Sequence, residues 1–244
     1  VGMSGVRLEV EAHIVTASVT TARNIMRALE RCRLDVDHMV LESVALAEVV
    51  LAPVELEMGV IMIDIGGEIT NVAAFFDGAI RHTSVIPLGS QHVTNDIAIA
   101  FRTPVDQAEI LKVKDGAALT GLADPSESFV LAGGSGRPMK ELPRGALVSI
   151  IEARMEEILS LAVRELRQTG IGDALTAGVV LTGGGALIPG CAELAEQLFD
   201  LPARVADING IDHTPEELNN ARFATAHGLL TYGFHHEPTA GGRS

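Results

Sequence analysis

Tryptophan is absent from the 244 residues, tyrosine occurs once, and aromatic residues make up only 3% of the chain. The 47% hydrophobic content is therefore mostly aliphatic, enough to bury a substantial core and to exclude a disordered chain. The length allows one large domain or two compact ones. Cys32 and Cys191 are the only cysteines. This excludes a disulfide framework, points to a reducing compartment, and leaves each thiol as a small hydrophobe. Basic residues number 18 against 32 acidic, a formal charge of -14. Such a surface repels phosphate backbones, so nucleic acid is not an expected partner. No apolar run reaches the ~18 residues of a membrane span, because Glu42, Glu48, Glu55 and Glu57 break the most hydrophobic stretch. No secretory signal is expected: the chain begins at Val1 and carries no charged segment and cleavage site around an apolar stretch. A start partway through a longer product fits this. The eight histidines, including the adjacent pair His235-His236, show no metal-ligand spacing, and neither G-x-S-x-G nor H-E-x-x-H occurs.

What is present is an alternation of strand and helix patterns. Residues 6–16 alternate apolar and polar, as strands do. Thr20 or Thr21 can cap a helix with Ala22, Ile25, Met26 and Leu29 on one face. Residues 34–41 read as extended and 43–51 as a helix of small residues. GVIMIDI (59–65) is a continuous apolar run up to Asp64 with no clear alternation, the signature of a strand buried on both faces. Residues 70–76 and 79–86 flank Asp77-Gly78, a hairpin signal. Thr103-Pro104-Val105-Asp106 starts a helix, with Thr103 as cap and Pro104 at the first position, ending before Gly116. Residues 120–142, with Gly133, Gly134, Gly136 and Pro138, suit a small β insertion. A long amphipathic helix covers about 143–169, with Leu147, Ile150, Ile151, Ile158, Leu159, Ala162 and Leu166 inward and Gly170 as its stop. GVVLT (178–182) is a second buried strand, followed by a helix from 190, a strand at 203–207 and a last helix at 221–233. The class is α/β.

Two places combine a buried strand, glycines and a polar group. Asp64-Ile65-Gly66-Gly67 puts an acid at the end of a buried strand, costly unless it meets a cation or donors. The glycines let backbone N–H groups approach an anion. Two readings fit: a tight strand-to-strand turn, or a phosphate with its Mg²⁺. The second place is Thr182-Gly183-Gly184-Gly185, a loop bare of side chains between strand and helix, on which a nucleotide can lie. It is neither a Walker A loop nor the dinucleotide fingerprint.

Taken together, the two loops resemble the actin-like ATPase superfamily. DIGGEITNVAAFFDGAI is similar to its second phosphate loop and LTGGGALIPG to its adenosine loop. Within the superfamily, GMSGVRLEVEAHIVT, HTSVIPLGSQHVTNDIAIAFRTP and VVLTGGGALIPG resemble the FtsA family of bacterial cell-division proteins over nearly the whole chain. The resemblance implies an actin-like ATPase (ribonuclease H-like) fold, with the second half fairly complete and the first half partial. Residues 1–58 would be the C-terminal part of the first lobe, 59–234 the second lobe with an insertion at about 103–145, and 235–244 a flexible tail. It also implies ATP and Mg²⁺ as cofactors, self-association into filaments, and tethering of FtsZ through its C-terminal peptide at the cytoplasmic face of the inner membrane at the division site. Asp64 would hold Mg²⁺ through water, Gly66 and Gly67 would touch phosphates, and Glu42 would face the metal and attacking water. Glu109 and Lys112 would face ribose and adenine, and Gly183, Gly184 and Gly185 would line the adenosine. Without the resemblance, Glu109 and Lys112 read as a solvated salt bridge on one helical face. Arg137 and Lys140 would help receive the acidic FtsZ tail, or serve a soluble loop.

The chain departs from the family pattern in three ways. The first phosphate loop and most of the inserted subdomain are not in this sequence. In the second loop, usually D-I-G-G-G-T-T-D, Glu68 replaces a glycine, Ile69 a threonine and Asn71 the acid. This predicts weak ATP binding and little hydrolysis, at most a weak ATPase. No apolar helical face follows Tyr232, so direct membrane binding by the chain as given is not expected. Two other functions share the pattern: a nucleotide-free interaction domain, and a phosphotransferase of the sugar-kinase or acetate-kinase type.

Overall fold

The computed structural model describes residues 6–7, 9–10, 12–131, 139–208 and 214–236. The chain divides into two compact units, residues 1–39 and 40–244.

In the first unit, helix α1 (Val19–Arg31) is capped by the Ser18 hydroxyl, which accepts from the Thr21 N–H. Ser18, not Thr20 or Thr21, is therefore the cap. Ile25 and Met26 are exposed along the predicted apolar face. The alternating run at 6–16 forms no strand among the described residues. A strand needs a neighbour to take its N–H and C=O groups, and this unit contains no other described strand. Cys32 is exposed rather than packed.

A mixed five-stranded sheet organises the second unit. Its strands are β1 (Val60–Ile65), β2 (Thr70–Phe76), β3 (Ala79–Ile86), β6 (Gly178–Thr182) and β7 (Ala203–Val205), in the order β3-β2-β1-β6-β7. A separate antiparallel pair, β4 (Ser128–Leu131) and β5 (Lys140–Pro143), forms the small insertion. Residues 132–138, with Gly133, Gly134, Gly136, Arg137 and Pro138, lie outside the described residues, as do residues 237–244 of the tail. The predicted hairpin forms: Asp77 and Gly78 take φ of +52° and +68°, the left-handed pair that matches strand twist. β1 pairs antiparallel with β2 and parallel with β6.

Strand parity sorts β1 between two helical layers. Ile61, Ile63 and Ile65 pack with α4 (Ser90–Phe101), α5 (Val105–Asp115), α6 (Arg144–Thr169) and α7 (Cys191–Phe199). Val60 and Met62 pack with α2 (Glu42–Val50) and α8 (Ala224–His236); α3 (Pro53–Met58) leads into β1. Asp64 shares the parity of Val60 and Met62, so it faces the layer that begins at Glu42. Helix α5 starts at Val105 with Pro104 in the cap place, one position off the predicted start, and the Thr103 hydroxyl is buried without a partner. Of the seven residues placed inward on α6, Ile150 alone is only half-buried. Gly170, at φ +72°, ends that helix. Burial pushes the Cys191 thiol up to about 12, which leaves it an inert core residue.

Candidate functional site

The C-terminal ends of β1 and β6 lie side by side, with Asp64 opposite Thr182. Each strand runs straight into its glycine loop, so the two loops start as neighbours. Gly183 takes φ +83°, and a Cβ there would stand 2.3 Å from Asp64 Oδ1 and 2.6 Å from the Ile65 carbonyl. Only glycine allows this approach. Gly184 is open toward the cleft. Gly185 turns away: its Cβ would strike the Ile65 side chain at 2.4 Å.

The first loop is fixed from below. Gly66 N–H donates to the Ile69 carbonyl at 3.0 Å, and the Gly66 and Gly67 carbonyls accept from Ser90 and Gln91 at 2.8 and 2.7 Å. The turn thus sits on the start of α4. Gly89 makes this possible, since a Cβ there would meet Gly67 O at 2.6 Å. A Cβ on Gly67 would meet nothing within 4 Å.

These loops floor a cleft of about 520 Å³, the size of a small-ligand site. Of the predicted residues, Glu42, Asp64, Gly66, Gly67, Glu109, Lys112, Gly183 and Gly184 all line it, and Gly185 supports it from behind. Glu68 is exposed and is not among the lining residues. Ser90, Gln91, Arg222 and Thr225 also line the cleft, and the sequence reading missed them as site residues. The Gly89-Ser90 step from β3 into α4 repeats the strand–glycine–helix signal; Arg222 and Thr225 had no local signal.

One wall is acidic. Asp64 is 7% exposed. Burial first, then the Glu42 charge, push its carboxyl up to about 6, against a hydrogen bond from Asn71. Glu42 is held at both oxygens: Asn71 Nδ2 donates to Oε2 at 3.0 Å and the Thr225 hydroxyl to Oε1 at 2.8 Å. Asn71 on β2 and Thr225 on α8 thereby fix a carboxylate that begins α2. Two carboxylates converging beside a glycine turn suit a hard divalent cation with water in its shell. Among the described residues, no group of three or more His, Cys, Asp or Glu forms a direct metal cage.

The opposite wall overturns the solvated salt bridge. Lys112 is 6% exposed, and its Nζ donates to Glu109 Oε2 at 2.7 Å, to the Thr94 hydroxyl at 2.9 Å and to the Ser90 carbonyl at 3.2 Å. Burial raises the Glu109 carboxyl, but hydrogen bonds from Lys112 and Thr94 and the charges of Lys112 and Arg222 outweigh it and hold it below the ordinary value. The pair clamps α4 to α5 at the cleft edge.

A family profile described as Cell division protein FtsA matches residues 61–228. A cell division protein FtsA of Pseudomonas aeruginosa is 44% identical over 232 residues, 95% of this chain and 56% of that protein. A cell division protein FtsA of Escherichia coli K12 is 40% identical over 240 residues, 96% and 57% of the two chains. The chain thus spans a little over half the length of the curated relatives it matches. Among solved structures, MreB5 of Spiroplasma citri bound to ADP superposes with a TM-score of 0.73 at 18% identity, covering 90% of this chain and 66% of that one. That likeness establishes the fold as actin-like.

Proposed function

The chain belongs to the FtsA family, and on that premise we propose that it is a cell-division cytoskeletal adaptor whose cleft binds ATP weakly. The observation that carries the nucleotide reading is the contact of Gly183 with Asp64, which makes one site of two loops distant in sequence. The ADP of the MreB5 neighbour is the matching ligand class.

In this reading Gly67 and Gly66 approach the phosphates. Gly183 and Gly184 lie against the adenosine with Gly185 packed behind them. Glu109 and Lys112 form the wall at ribose and base. Asp64 and Glu42 fit Mg²⁺, Asp64 through water, and the ion would neutralise phosphate charge. Glu42, held by Asn71 and Thr225, orients water rather than roaming as a base. The neutral Asn71, where the family usually has an acid, leaves one carboxylate fewer, which supports slow hydrolysis at most. Because Glu68 is exposed outside the lining, the altered loop weakens binding through lost donors more than through its charge.

Linkage to FtsZ through its C-terminal peptide, filament formation, and placement at the cytoplasmic face of the inner membrane at the division site belong to the same proposal. No described helix is long and apolar enough to cross a membrane. Lys140, exposed on β5, is the described cation of the insertion suited to an acidic peptide.

Isothermal titration with Mg-ATP tests the reading. Saturable binding weaker than about 1 μM is expected. Tighter binding contradicts the weak-site claim. No binding favours a nucleotide-free interaction domain, a reading the self-satisfied Glu42–Asn71–Thr225 cluster also permits.

A further inference from the structure

Two cations line the cleft among the described residues, Lys112 and Arg222, and they are not equivalent. An ammonium has three N–H donors. All three of Lys112 are committed, to Ser90, Thr94 and Glu109. It can reach a ligand only by breaking a bond inside a buried wall. Arg222 carries five guanidinium donors; its side chain makes no hydrogen bond or ion pair with any described residue, and its Cζ lies over the Phe223 ring, 5.9 Å from the centroid. Its backbone is nonetheless fixed. The Arg222 N–H donates to Asn220 Oδ1 at 3.0 Å, and the preceding Ala221 carbonyl accepts from Gly183 N–H at 3.2 Å. Its stem lies beside the glycine loop, with Cγ 3.9 Å from where a Gly184 Cβ would stand. Its charge reaches Glu109 on the opposite wall. The guanidinium therefore lines the cleft from the Gly184 side, over the Phe223 ring, at the adenosine end of the cleft on the reading above.

We propose that Arg222 is the affinity-determining cation of this cleft, its planar guanidinium lying against the purine face of the bound nucleotide while Lys112 stays in the wall. The proposal rests on the nucleotide reading. A flat cation over a π-face suits arginine and not lysine, and the 3% aromatic content offers few rings to stack on the base instead.

The test is titration of the 244-residue chain and its R222A and R222K variants with Mg-ADP, Mg-ATP and adenosine, alongside thermal unfolding. R222A is expected to weaken all three ligands by one common factor, about three- to thirtyfold. R222K should recover little of it, and the unfolding midpoint should stay unchanged. Equal affinity of R222A and the parent overturns the proposal. So does a loss that grows with the number of phosphates and spares adenosine, which would put the guanidinium on the phosphates. If the parent chain binds none of the three, the nucleotide reading itself falls and takes this inference with it. That result is distinct because it needs no variant.

Discussion

Asn71 Nδ2 donates a 3.0 Å hydrogen bond to Glu42 Oε2, joining the second strand of the sheet to the first turn of α2 within the same pocket as Asp64. A neutral donor at position 71 lets two carboxylates coexist. Asn71→Asp replaces it with a third acid. The variant should lose about 1–3 kcal/mol at neutral pH, the worth of a charged hydrogen bond, and recover part of it near pH 5. Urea unfolding at the two pH values checks this.

Asp64 has its own pH signature. Its folded-state pKa, about 6, lies above the ordinary 3.8, so the fold favours the protonated acid. That contribution is complete below about 3.8 and is lost as pH rises through about 6; beyond that, the buried charge costs roughly 3 kcal/mol. Asp64→Asn keeps the shape without the charge. It should be more stable than the parent at pH 7.5 by up to that amount, with the gap closing by pH 4. A gap that is absent at pH 7.5 or constant with pH contradicts the assignment.

Gly67 and Gly183 separate fold from ligand. Gly67→Ala adds a methyl to open cleft space, so stability should stay within about 0.5 kcal/mol while Mg-ADP affinity falls about tenfold. Gly183→Ala must bear a positive φ and a 2.3 Å approach to Asp64, and should cost about 1–3 kcal/mol as well as binding. Calorimetric unfolding paired with titration separates the two.

Lys112→Met leaves Glu109 and Thr94 without their shared cation. A loss of about 1–3 kcal/mol is expected, seen as faster amide exchange in α4 and α5. Its effect on ADP affinity should be smaller than that of R222A.

Much of this was legible in the residues. VIMIDI and GVVLT, apolar on both faces apart from Asp64, are inner strands of the sheet as their composition demands, and Asp77-Gly78 turns its hairpin. Eight of the nine predicted site residues line the cleft; Asp64 and the four glycines among them sit at or just past the end of a buried strand and Glu42 opens a helix, where local patterns are strong, whereas Glu109 and Lys112 lie inside α5. The failures were non-local. Residues 6–16 alternate like a strand yet have no described strand to pair with. Lys112 looked solvated because only the packing of α4 against α5 buries it. Arg222, in the turn just before α8, and Thr225, in its first turn, enter the site far along the chain from the first loop. Gly185 shares the sequence pattern of Gly183 and Gly184 but faces the Ile65 side chain rather than the cleft.

The most direct measurement is an amide NMR titration of the chain with Mg-ADP. Gly66, Gly67, Gly183 and Gly184 should all shift along one binding curve with a single Kd, as the proposed binding of one nucleotide across both loops requires. Shifts confined to one loop, or two loops that saturate at different concentrations, would contradict a shared adenine-nucleotide site.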